Sequence, residues 1–237
     1  MEIAPLPQAS VSSRPARIDS LKHSAGLLLI LAALTGYGLH LQSASHPGSN
    51  IAAGHESVLP LYVGVLVSEW ALFYYCWAGL RAHRVKLAEV MGPAWGHWHR
   101  AAKEILIAAA FWVVWEGVAW AANLAVGANQ AKSISVLLPR SELEHVLWIA
   151  VAVSAGICEE FVFRGYLQRQ LWAVTGSAGA AVAGQALVFG VSHGYQGTQK
   201  MIVISILGLL YGMLAQWRRN LRPGILAHAW SDIFSVL

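Results

Sequence analysis

Seven apolar stretches, at about 25–41, 58–80, 105–126, 143–158 running on to about 170, 178–194, 201–217 and 224–237, dominate the chain. A helix crosses the hydrocarbon of a bilayer with about 20 apolar residues, and about 17 is a practical minimum. Lipid offers the backbone no hydrogen-bond partners, so segments of this kind are driven to be helical. The expected fold is all-α, a polytopic transmembrane helical bundle of about seven spans, with six or eight as alternatives. Composition points the same way: 57% of the residues are hydrophobic and 12% charged, where soluble domains average about 25% charged.

Residues 1–24 read as a polar cytoplasmic N-terminal segment, 25–142 as N-terminal transmembrane helices and 143–237 as the catalytic transmembrane core, all in one bundle. No small-x-small cleavage site follows the first apolar stretch, so it reads as a retained helix. The 42–57 loop has no Lys or Arg, whereas 81–103 carries Arg81, Arg84, Lys86, Arg100 and Lys103. Lys and Arg accumulate in cytoplasmic loops. That rule places Arg164, Arg169, Arg218, Arg219 and Arg222 on the cytoplasmic side of the inner (cytoplasmic) membrane, with a cytoplasmic N-terminus; Lys132 and Arg140 dissent. Trp70, Trp98, Trp148, Trp172 and Trp217 fit a headgroup belt. His97 and His99, just ahead of a helix, read as an interfacial loop. The net charge of +4 is spread over short loops, which gives nucleic-acid binding no support. Cys76 and Cys158 lie in apolar sequence and suggest no disulfide framework.

Charged groups inside hydrocarbon need partners or a function. Glu159 and Glu160 close an apolar run, and Arg164 stands one turn from Glu160 on the same face. This pairing holds Glu160 as structural support and leaves Glu159, about 100° round the helix, to face another surface as a general base. Glu116 lies alone in the third stretch, as either a cavity residue or a structural hydrogen-bonder. The run Phe189 to His193 ends a stretch rich in small residues, which bring helices close and put His193 within reach of Glu159. His228 and Asp232 are again one turn apart. Peptide hydrolysis fits the set: water held by Glu159 and His193 attacks a carbonyl, Glu159 takes its proton, and His228 with Asp232 stabilises the oxyanion. An ionised Asp232 would repel that oxyanion, so it serves protonated or by orienting His228. No cofactor is needed; the alternative is zinc held by His193, His228 and a carboxylate, although no His-Glu-x-x-His arrangement supports it. No Gly-x-Ser-x-Gly element supports a serine mechanism.

Glu159-Glu160-Phe161-Val162-Phe163-Arg164-Gly165 resembles the Glu-Glu-x-x-x-Arg motif of the CAAX protease and bacteriocin-processing family, also called type II CAAX prenyl endopeptidase-like or lysostaphin-resistance-protein-like. Phe189 to His193 resembles its Phe-x-x-x-His motif, and His228 to Asp232 its His-x-x-x-Asn/Asp motif. The resemblance covers about 143–237. It implies an intramembrane endopeptidase, glutamic or metallo, with Glu159 and His193 activating water and His228 and Asp232 on the oxyanion side. Its partners would be the bilayer and a membrane-associated protein or peptide, cut near its C-terminus or leader. Asp232 stands where the prenyl-processing branch usually has Asn, which favours a bacterial role in leader, bacteriocin or sorting-tail processing. The competing classes are a proton or ion transporter and a non-enzymatic immunity protein.

Overall fold

The computed structural model describes residues 15–44, 57–127 and 138–235. Most of the N-terminal segment, most of the Arg-free loop and Lys132 lie outside the described residues. The described chain is helical throughout: α1 (Leu21–Ala44), α2 (Leu59–Ala82), α3 (Leu87–Met91), α4 (Trp98–Val126), α5 (Glu142–Thr175), α6 (Ala178–Ser192), α7 (Thr198–Arg218) and α8 (Arg222–Phe234). Each of the seven apolar stretches forms a helix. Five of them, α1, α2, α4, α5 and α7, are long and apolar enough to cross a membrane. The other two fall short of the expected span count because α6 has 15 residues and α8 has 13, about 22 and 20 Å at 1.5 Å per residue.

The helix ends have local causes. Pro60 and Pro223 stand in the first turns of α2 and α8, where a missing N–H costs nothing. Ser141 accepts from the Glu144 N–H while Glu144 reaches back to the Ser141 N–H, a reciprocal cap at the start of α5. Ser177 caps α6 through the Ala180 N–H.

α5 is the axis of the bundle. It packs against α2 and α8, then folds back through Gly176 onto α6, while α7 covers α6 and α4 covers α7 and α8. The main core gathers Leu27 and Leu31 of α1, Phe73, Cys76 and Leu80 of α2, and Cys158, Phe161 and Tyr166 of α5. Both cysteines are free and buried.

The basic clusters share one end of the molecule. Arg218 pairs with Glu104 at 3.3 Å, Arg169 donates to the Glu89 carbonyl at 2.8 Å, and Arg222 reaches the Gly92 carbonyl at 3.4 Å. The exposed Trp98 and Trp217 lie at this end too. Trp148 departs from the expected belt, because its indole N–H turns inward to donate to the Asp232 carbonyl at 2.9 Å. Arg140 sits at the opposite end, beside the start of α5.

Candidate active site

Halfway along α5, the ordinary helix gives way to a wider π-helical turn over Glu160–Leu167. Such insertions rotate the following residues relative to those before and are frequent at functional sites. Glu159 precedes the insertion and keeps partial solvent access, while Glu160 begins it and is buried. Glu160 and Arg164 lie 3.0 Å apart, both fully enclosed. The guanidinium stacks on Phe189 at 4.2 Å and on Tyr211 at 5.2 Å. Its Nη1 contact is an ion pair without well-aimed hydrogen-bond geometry, so the charge and the aromatic faces hold Arg164 in place.

α8 reaches this point because α5 carries Gly156. A Cβ there would stand 2.8 Å from the Ile225 carbonyl oxygen and 3.1 Å from the Ala229 amide nitrogen. The close crossing sets His228 against both glutamates. Its Nδ1 donates to Glu160 Oε1 at 3.1 Å, and its Nε2 lies 3.7 Å from Glu159 and 3.6 Å from Asp232. Tyr211 tilts over the ring at 5.3 Å. Four residues from two of the three motifs, together with Arg164, thus form one contiguous polar cluster.

His193 lies beside Phe189. Its ring packs edge-on to Phe189 at 4.8 Å, and Phe189 in turn lies 6.3 Å from His228. Among the described residues no hydrogen bond joins His193 to Glu159. The reason is capping: His193 follows the last turn of α6, and its Nδ1 donates to the Phe189 carbonyl at 2.8 Å, one of the carbonyls a helix end leaves open. A carbonyl only accepts, so Nδ1 carries the proton and a neutral His193 presents Nε2 as an acceptor. That is the tautomer able to hold a water molecule.

Among the described residues no three His, Cys, Asp or Glu side chains are arranged to hold a metal ion. His193 and His228 both pack against Phe189, at 4.8 and 6.3 Å between ring centroids, and the Glu160 contact engages Nδ1 of His228.

Two further polar residues are set apart by their surroundings. Glu69 of α2 is 7% exposed, and its Oε2 has no partner. It lies beside Ser154 and in the field of Glu159, Asp232 and His228. An acidic residue inside the 58–80 stretch is the same signal that drew attention to Glu116, and it was there to be read. Tyr195, in the short 3-10 turn Gly194–Gln196, stacks on His193 with centroids 6.1 Å apart. Nothing in its local sequence marks it. Glu116 is exposed on α4, with Trp112 and Ser231 as its polar neighbours, outside the His228 cluster.

Residues 141–234 match the family described as Type II CAAX prenyl endopeptidase Rce1-like. The matched segment carries all three motifs, and its family is of the same CAAX protease kind that those motifs resemble. No match was found among curated proteins or among solved structures. A membrane-embedded helical protein with a domain from a protease family is the class that fold and site define.

Proposed function

We propose that the protein is an intramembrane endopeptidase that cuts membrane-associated proteins near their C-terminus or leader with a water molecule activated by Glu159. The observation that carries this reading is the convergence of Glu159, Glu160 and Asp232 on His228 at 3.1–3.7 Å. Glu160 is consumed in holding Arg164 and His228, which leaves Glu159, with 21% of its side chain accessible, as the base. The attacking water would donate one hydrogen bond to Glu159 and the other to the Nε2 lone pair of His193. Glu159 takes the proton as the oxygen attacks the scissile carbonyl carbon. As an imidazolium, His228 has an Nε2 proton to offer the developing oxyanion, and its three carboxylate neighbours would hold that charge. Asp232 acts by orienting the ring. When the tetrahedral intermediate collapses, the C–N bond breaks and Glu159 returns the proton to the leaving amine.

The hydrolysis is read as metal-free, and the basic end as cytoplasmic. Asp232 in place of an amide favours a leader, bacteriocin or sorting-tail substrate over a prenylated tail. The test is cleavage of a pooled set of transmembrane-tail and leader peptides, with and without a farnesylated CAAX end, by purified protein in detergent. Glu159→Ala should abolish cleavage at unchanged protein level, and 1,10-phenanthroline should leave the wild-type rate unchanged. Cleavage that survives Glu159→Ala would overturn the reading. Proton-coupled flux in sealed vesicles that survives it would move the site to transport.

A further inference from the structure

α5 turns back through Gly176 at the basic end, so α6 starts there and runs toward the opposite end, where Glu142 opens α5. It stops after about 22 Å at 1.5 Å per residue, short of the roughly 30 Å hydrocarbon thickness. His193 caps it, and two more helix ends lie at this level. Gln199, in the first turn of α7, donates to the Val126 carbonyl at the end of α4 at 3.0 Å, and Lys200 Nζ donates to Asn123 Oδ1 at 3.0 Å. A Cβ on Gly190 would stand 2.7 Å from the Met201 carbonyl oxygen, which sets the end of α6 beside the start of α7. Two other helices pass this level: α5 runs about 26 Å from Glu159 back to Glu142, and α1 meets Tyr195 at Gly38 and continues to Ala44. Helix ends leave backbone groups open, and irregular backbone inside a membrane is tolerated where protein encloses it or where it lines a wet cavity.

Exposure shows where water enters. Asp232 lies on the Glu142 side of His228, since its carbonyl accepts from Trp148 in the second turn of α5. It keeps 37% of its side chain accessible and Glu159 keeps 21%, and carboxylates do not turn such surface to hydrocarbon. Toward the basic end the packing is tight. Every residue from Glu160 to Gln168 is buried, and Tyr211 and Leu221 are each 2% exposed. A Cβ on Gly165 would stand 2.7 Å from Val90 Cγ1 and 3.0 Å from Leu221 Cδ1, so α3 and the start of α8 press directly on the π-helical turn. Among the described residues, the cluster is closed toward the basic end and open toward the Glu142 end.

We propose that the active site is entered from the Glu142 end and that its substrate is a polypeptide segment presented on that face. With the basic end cytoplasmic, that segment is an exported one: a leader or tail that has already crossed the membrane, not a prenylated tail held on the inner surface. This inference rests on the hydrolytic reading of the same site and adds the side from which peptide and water arrive. The scissile carbonyl reaches Glu159 and His228 at the level where α4, α6 and α7 end, while α3 and the buried π-helical turn bar the approach from the basic side.

The test is thiol labelling of the full chain in sealed right-side-out and inverted vesicles. Arg84→Cys marks the basic end and Glu142→Cys the opposite one, while the wild type, whose two cysteines are buried, supplies the blank. Glu159→Cys places a thiol in the site itself, and Asp232→Cys is the second reporter should the first fold poorly. With a membrane-impermeant cationic thiosulfonate outside, the reporters should be modified in the vesicles that expose Glu142→Cys and spared in those that expose Arg84→Cys. Reporters that follow Arg84→Cys, react in both preparations or react in neither overturn the inference. Wild-type vesicles extend the test: an impermeant peptide that the solubilised protein cleaves should be cut from the Glu142 side and, from the basic side, only after detergent is added. Cleavage from the basic side of intact vesicles overturns the inference and leaves the hydrolase standing. A wild type that cuts no peptide even in detergent removes the hydrolase, and the labelling alone then decides the opening. If Glu142→Cys marks the cytoplasmic face, the exported substrate falls.

Discussion

Arg164 and Glu69 are opposite cases of a charged residue inside a membrane bundle. Arg164 is enclosed with Glu160 at 3.0 Å and lies between the faces of Phe189 and Tyr211. Removing it leaves Glu160 buried without its cation, a defect worth about 3–5 kcal/mol. Arg164→Ala should therefore lower folded yield and the thermal midpoint in detergent, and equal yield and midpoint would show that the pair contributes little. Glu69 has no such partner: its Oε2 is buried and unsatisfied. An unmade hydrogen bond costs about 1–3 kcal/mol, and groups retained at such a cost cluster at functional sites. Glu69→Leu should raise the midpoint while lowering peptide cleavage, a pairing that neither a purely structural nor an irrelevant residue would give. Both residues are visible as charges in apolar sequence; their different surroundings are not.

At the scale of elements, the site depends on how closely α8 can approach α5. Gly156 faces backbone atoms of α8, which cannot rotate away as a flexible side chain would. Gly156→Val should push α8 outward, cost about 1–3 kcal/mol as overpacking, and reduce cleavage far more than the stability loss explains, because His228 leaves Glu159 and Glu160. Circular dichroism with a thermal ramp, run beside the peptide assay, separates the two effects. The π-helical turn acts at the same scale, since it gives two adjacent glutamates different surroundings. A helix read at 3.6 residues per turn separates Glu159 from Glu160 by about 100°, and that was enough to anticipate different roles. The extra residue in the turn was not legible, because π geometry is imposed by what packs around it and has no propensity signal of its own.

Over the whole molecule, Arg140 stands at one end, and Arg169, Arg218 and Arg222 of three helices gather at the other. If that side is cytoplasmic, a cysteine at Arg84 in oriented membranes should react with an impermeant maleimide only from the cytoplasmic face, and one at Glu142 only from the outer face. The native Cys76 and Cys158 are buried and supply a silent background. The reverse labelling would invert the orientation. The seven apolar helices, the membrane class and the motif residues, though not the short α3, were accessible from sequence, because hydrophobic length and the expense of burying charge are properties of a segment and its composition. That Glu159, His228 and Asp232 meet was expected from the motifs; the contacts through which they meet were not. That His228 meets Glu159 and Glu160, that Phe189 packs against His228 as well as His193, and that Arg164 lies between Phe189 and Tyr211 all follow from helix crossings between residues far apart in the chain. Such crossings depend on which surfaces fit one another, a non-local property that no window of sequence contains.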